Sequence, residues 1–158
     1  WLAGMRQKLG LSNSEANDAA LAQSLLDTMS ENEADFTLTF RHLCDAAGDP
    51  HGISAVRDLF RNPPAYDLWA TCWLSRLSRE PKAPVDRALE MRQINPAFIP
   101  RNHRVEQALE AAIQHNDFSL FEQLTTVLSQ PYDDQPGFAS YGNPPKPGER
   151  IFQTFCGT

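Results

Sequence analysis

The chain has 158 residues, enough for one domain with a modest hydrophobic core, and its 41% hydrophobic and 22% charged side chains are the mix of a soluble globular protein. A net charge of −6, with 14 basic residues scattered among 20 acidic ones, argues against nucleic acid as the main partner. No apolar run approaches the roughly 20 residues that span a bilayer, which argues against a membrane role, and three cysteines are too few for a disulfide framework in a chain of this size.

Helical periodicity then runs almost without interruption to residue 130. Leu2, Met5 and Leu9 share a face, with Gly10 as the expected C-cap. This patterned segment starts directly at Trp1 and carries Arg6 and Lys8. The chain is therefore expected to belong to a longer polypeptide, with no signal peptide and a cytoplasmic setting. Ser12 or Ser14 is the expected cap of the next helix, with Leu21, Leu25, Leu26 and Met29 inward. Asp35 or Thr37 opens a third helix with the stripe Phe36, Phe40, Leu43, Cys44 and Ala47, closed by Gly48.

A short helix over Ile53–Phe60 ends before Asn62-Pro63-Pro64, because proline lacks an amide donor and restricts the residue before it. The next helix is aromatic, with Tyr66, Trp69, Cys72, Trp73 and Leu77 on one face. Pro84–Ile94 forms another, and Asn95-Pro96 ends it. Asn102 reads as the cap of a helix bearing Val105, Leu109, Ala112 and Ile113. Asp117 or Ser119 starts the last one, with Leu120, Phe121, Leu124, Val127 and Leu128 inward. The expected fold is thus all-α, a bundle of about seven to eight short helices over residues 1–130. Residues 131–158, rich in Pro and Gly, read as an extended tail that cannot be helical and ends on the apolar run Ile151–Cys156.

Few residues here suggest chemistry. The eight glycines are isolated caps and turns, with no phosphate-cradling loop among them. His42, Cys44 and His51 have the residue types of a metal site, and a small metal-binding regulator is one reading of them. Yet Cys44 falls on an apolar stripe, and no second half exists at zinc-finger spacing. Cys72, between Trp69 and Trp73, likewise reads as a small core hydrophobe. Glu106 and Glu110 share a helix face, which is the pattern of a solvated surface as well as of paired carboxylates. Arg101, Asn102, His103 and Arg104 put cations at the electrostatically poor end of a helix. With Asn95, the residues Arg101, Asn102 and Arg104 are therefore the expected interdomain contacts. Cys156, beyond a proline-rich spacer, is a thiol free to reach an oxidant or a second cysteine.

Several segments taken in order resemble the C-terminal part of the selenoprotein O family. They are Met5-Arg6-Gln7-Lys8-Leu9-Gly10-Leu11, Asp35-Phe36-Thr37 with Phe40-Arg41, and Asn95-Pro96-Ala97-Phe98-Ile99-Pro100-Arg101-Asn102-His103. They continue through Asp117-Phe118 with Phe121 and Leu124, then Pro131-Tyr132-Asp133, to Phe152-Gln153-Thr154-Phe155-Cys156-Gly157-Thr158. The resemblance implies a parent protein with a kinase-like fold that binds ATP in a flipped orientation. With Mg²⁺ or Mn²⁺ it would transfer AMP to Ser, Thr or Tyr hydroxyls of protein substrates. The family's ATP-binding and metal-binding residues lie in the region preceding this one, so no catalytic residue and no cofactor is expected in residues 1–158. The missing kinase-like domain is the expected partner. Cys156 stands where the family carries its terminal selenocysteine or cysteine, which implies redox control through a thiol outside this chain. The competing reading is a stand-alone helical interaction module.

Overall fold

Helix starts in this chain are set by a few residue types. Asp35 takes extended backbone and its carboxylate accepts a hydrogen bond from the Leu38 amide at 2.9 Å, capping α3 (Phe36–Gly48). Proline opens both α5 (Pro63–Leu77) and α6 (Pro84–Ile94), where its missing amide costs nothing. Remaining elements in the first part of the chain are α1 (Leu2–Lys8), α2 (Asp18–Asn32) and the short α4 (Ile53–Arg57). The computed structural model describes residues 1–149, the side chain of Pro50 excepted, and contains only helices, turns and loops over that span. The all-α expectation is met. Two compact units divide at Pro96/Ala97.

The first unit packs α1–α6 around Leu9, Leu25, Leu43, Val56, Tyr66 and Trp73, all fully buried. A run of aromatic rings lines α5, with Phe60–Tyr66 stacked at 5.0 Å, Tyr66–Trp69 at 6.0 Å and Trp69–Trp73 stacked at 5.5 Å. Each indole also serves as a peg: Trp73 Nε1 donates to the Leu9 carbonyl and Trp69 Nε1 to the Leu21 carbonyl, both at 3.0 Å. The aromatic face thus fixes α1 and α2 against α5.

Two local expectations for this unit fail. Neither Ser12 nor Ser14 caps α2, which begins later, at Asp18, after Asn17. Ser12 instead gives its amide and hydroxyl to Glu80, which draws the segment after α1 onto the end of α5. Cys72 is exposed rather than part of the core. At 3.6 residues per turn, Tyr66, Trp73 and Leu77 cluster on one side of α5, and Cys72 lies roughly 120° around the helix from them.

The second unit begins with α7 (Asn102–His115) and α8 (Ser119–Ser129), packed against one another and joined where Asn116 adopts the left-handed conformation (φ 53°). Arg101, not Asn102, occupies the cap position of α7. Fully buried positions on the pair are few: His103 and Ala108 on α7, Leu124 and Val127 on α8. Leu109, Ile113 and Phe121, expected inward, are exposed, because two helices facing each other cover only a narrow stripe of each.

The chain after α8 is not wholly extended either. It forms a 3₁₀ turn at Pro136–Phe138, the four-residue helix α9 (Ala139–Gly142) and a further 3₁₀ turn at Pro147–Glu149. Prolines sit where these turns start and need no amide. Side chains do the anchoring. Gln135 donates to the Val127 and Gln130 carbonyls, Tyr141 to Gln123, and Arg104 to the Ser140 carbonyl at 2.8 Å.

Candidate functional site

Charged side chains gather most densely where the loop before α2 meets the end of α5. Arg76 and Glu80 are one helical turn apart, and Arg76 Nη1 donates to Glu80 at 2.6 Å. Arg76 Nε donates to Asp18 at 2.8 Å and Nη2 to the Asn13 carbonyl at 2.8 Å. Asp18 also accepts from Arg6 Nε at 2.7 Å and from the Glu15 amide at 2.9 Å. The other face of Glu80 accepts from the amides of Ser12 and Asn13 and from the Ser12 hydroxyl. At the rim, Arg79 forks onto Glu15 at 2.8 and 2.9 Å.

Three arginines (Arg6, Arg76, Arg79) thus face three carboxylates (Glu15, Asp18, Glu80). Burial pushes the Asp18 carboxyl up, but hydrogen bonds from Arg76, the Glu15 amide and Arg6 outweigh it and hold it below the usual carboxylate range. Glu80 is held low in the same way, by Ser12 and Arg76 against its burial. A carboxylate so heavily hydrogen-bonded and held ionised is a poor acceptor for a substrate proton. The cluster is a clasp between the α1–α2 loop and α5, not an acid–base pair.

Asn95 forms a second node. Fully buried, it donates from Nδ2 to the Lys8 carbonyl at 2.9 Å and lies 3.5 Å from Cys44 Sγ, while its Oδ1 accepts from Lys8 Nζ at 3.2 Å. Its main-chain carbonyl accepts from Arg41 at 3.1 Å. Burial lowers the pKa of Lys8, whose ammonium sits over the Phe40 ring at 5.3 Å. Asn95 thereby joins the end of α6 to α1 and α3 within the first unit.

Arg101, Asn102 and Arg104 fall at the start of α7. Arg101 is buried and Asn102 exposed. Arg104 reaches Gln107 at 3.0 Å and stands 5.5 Å from the Tyr141 ring centre. Between them His103 is buried; burial and the Arg104 charge lower its pKa, with Glu149 opposing. Cys156 and the apolar run before it lie outside the described residues.

His42, Cys44 and His51 do not converge. Cys44 is fully buried and donates to the Phe40 carbonyl at 3.2 Å, and burial raises its pKa, which makes it a poor nucleophile or ligand. His42 lies 3.9 Å from Asp45, and His51 is exposed on the 3₁₀ turn after α3. Among the described residues no three His, Cys, Asp or Glu side chains are placed to hold a metal ion, so the geometry gives the metal-regulator reading no support. Glu106 and Glu110 are both exposed, as on a solvated face. No described helix is long and apolar enough to cross a membrane.

Sequence periodicity did not reveal the clasp, because Asp18 and Arg76 are 58 residues apart. The spacing of Arg76 and Glu80 was its one local sign.

Similarity to known proteins gives these nodes a context. A family model described as "Protein adenylyltransferase SelO" matches residues 1–129. "Protein nucleotidyltransferase YdiU" of Rhizobium johnstonii is 58% identical over 158 residues, which is 100% of this chain and 32% of the relative. The proteins of the same name from Rhizobium meliloti and Bradyrhizobium sp. are 54% and 53% identical over 100% and 99% of this chain, again 32% of each relative. The chain spans about a third of the length of the curated relatives it matches. It belongs to the SelO protein adenylyltransferase family.

Proposed function

We propose that this chain is the helical accessory portion of a SelO-type protein adenylyltransferase and is not catalytic by itself. The parent would transfer AMP from ATP to Ser, Thr or Tyr hydroxyls of protein substrates, with Mg²⁺ or Mn²⁺, in the cytoplasm. The observation that carries this reading is the match along the whole chain to nucleotidyltransferases three times its length. Such transfer needs metal and basic groups arranged around phosphates. The described residues do not fit that requirement. Their buried charged groups in the clasp are paired with one another, and among the described residues no three acidic, His or Cys side chains are placed to hold a metal ion. We assign ATP and metal to residues outside this chain on the family resemblance, in which the residues that bind them lie in the preceding region.

The accessory role is supported by the exposed apolar side chains of α7, α8 and the turn between them, Leu109, Ile113, Phe118 and Phe121. They supply surface for the kinase-like domain. Cys156 is the proposed redox element, on the family resemblance alone.

The test is transfer of label from α-labelled ATP, with Mg²⁺ or Mn²⁺, by this chain and by the longer polypeptide containing it. Labelling by the longer protein only is expected, and it should change between oxidising and reducing conditions in a manner abolished by Cys156→Ser. Labelling by this chain alone would refute the accessory assignment. Labelling by neither would leave a helical interaction module as the better reading.

A further inference from the structure

Arg87 breaks the pattern of paired charges in the first unit. It lies on α6, is only 7% exposed, and carries a charge it cannot shed at any physiological pH. Its Nη2 donates to the Lys82 carbonyl at 3.0 Å, while its Nε is buried without a hydrogen-bond partner. Among the described residues no carboxylate forms an ion pair with it. The carboxylate whose charge acts on it is Glu80, whose oxygens are already taken by Arg76, Ser12 and Asn13. Glu90, one turn along α6, is paired with Lys82. A buried guanidinium without a counter-charge is costly, and proteins seldom retain one unless something binds it.

The guanidinium also lines a cavity. A pocket of about 240 Å³ opens between the end of α1 and α6, bordered by Gln7, Gly10, Arg87, Glu90, Met91 and Gln93. Gly10 borders the same pocket. It has φ +74°, and a β-carbon on it would lie 2.6 Å from Met91 Sδ and 2.9 Å from Arg87 Cδ, so the missing side chain leaves room for the arginine stem. Gln7 and Gln93, both exposed, bring amide donors to the same rim. The cavity has room for a small hydrated ion.

We propose that this pocket binds a small free oxyanion, inorganic phosphate or a short carboxylate, on the Arg87 guanidinium with the Gln7 and Gln93 amides. The guanidinium charge and its remaining N–H donors suit an oxygen of either group. The anion supplies the missing counter-charge and bridges α1 to α6.

Met91 lines the pocket and is nearly fully buried, so its methyl group reports occupancy directly. The experiment is a methyl-resolved NMR titration of the full-length polypeptide labelled at methionine methyls, with Met91→Leu used for assignment. Sodium phosphate and sodium acetate are added in turn, against sodium chloride at matched ionic strength. The expected result is a saturable shift of the Met91 methyl with phosphate or acetate and none with chloride. In Arg87→Gln the half-saturating concentration should rise by about tenfold or more. Gln93→Glu, at an exposed position that preserves folding, places a tethered carboxylate at the rim and should abolish the response; it decides the matter if Arg87→Gln does not fold. The proposal falls if Met91 is silent to both anions, or if chloride moves it equally. It falls too if Gln93→Glu titrates like the unaltered protein. Silence in the unaltered protein together with a shifted Met91 resonance in Arg87→Gln would point to a side chain of the same polypeptide as the occupant instead of a free ion.

Discussion

Replacing Arg76 by methionine keeps the volume of the side chain and removes the centre of the clasp. Arg76, Asp18 and Glu80 have side-chain exposures of 5%, 0% and 0%, so the lost contacts are shielded from water. Two charge-assisted hydrogen bonds to buried carboxylates disappear, each worth about 1.5–3 kcal/mol. Neither carboxylate is orphaned, since Asp18 keeps Arg6 and the Glu15 amide while Glu80 keeps Ser12 and Asn13. The expected loss is therefore about 3–4 kcal/mol, at the low end of what breaking a buried pair costs. All three tryptophans lie in the first unit, so urea unfolding of this chain followed by tryptophan emission reads that unit. At an m-value of about 2 kcal/mol per molar urea, the midpoint should fall by about 1.5–2 M. The control is Arg61→Met, which removes an exposed pair with Glu33 and should cost no more than about 1 kcal/mol. A loss from Arg76→Met no larger than the control's would refute the assignment of the clasp as a buried structural network. Acid sharpens the comparison. Asp18 and Glu80 titrate lower folded than unfolded, so their stabilisation is complete above the ordinary carboxylate range, near pH 4, and is lost as pH falls through the depressed folded values. Without Arg76 those folded values rise, and acid unfolding should begin at higher pH.

Gly10→Ala should destabilise the first unit by about 2 kcal/mol in the same urea assay, because φ +74° and the contacts with Met91 and Arg87 both oppose a β-carbon; an unchanged midpoint would contradict the close approach. Asn95→Ala should cost about 2–3 kcal/mol, since it strips a buried partner from the Lys8 carbonyl and leaves a void. Asp35→Ala should cost about 1 kcal/mol, read as lost helicity and a lowered midpoint, if its carboxylate caps α3 as described. In a Cys156→Ser background, a thiol-reactive dye should modify Cys72 rapidly and Cys44 only as the unit unfolds, given exposure of the first and burial of the second; equal rates would place Cys44 at the surface.

Helices were legible wherever apolar spacing and a breaker agreed. Asp35, Pro63 and Pro84 start their helices because the chemistry of a helix terminus is local, and of the expected stripe Phe40, Leu43, Cys44 and Ala47 are buried while Phe36, in the first turn of α3, is exposed. Errors arose where tertiary contacts overrode local signals. Ser12 looks like a cap but is claimed by Glu80, 68 residues away. Cys72 shares a sequence neighbourhood with Trp69 and Trp73 but not their face. Asn95 ends α6 as expected, but nothing local to the sequence shows that it is fully buried and bonded to α1 and α3. Apolar residues on α7 and α8 mark surfaces able to be buried, and periodicity alone does not say whether this chain is what buries them.

The clasp also imposes an order on synthesis. Asp18 and Ser12 leave the ribosome well before the arginine and glutamate that satisfy them. At about 5–20 residues per second, the 58 residues from Asp18 to Arg76 take roughly 3–12 s to make. Through that interval the nascent α1 and α2 have neither their charge partners nor the indole pegs of α5. Asn95, 87 residues after Lys8, supplies the last tie, and the boundary between the two units follows directly after it, at Pro96. The bonds named for the first unit therefore all have both partners within its own stretch of chain, and the latest of them waits for Asn95 to emerge.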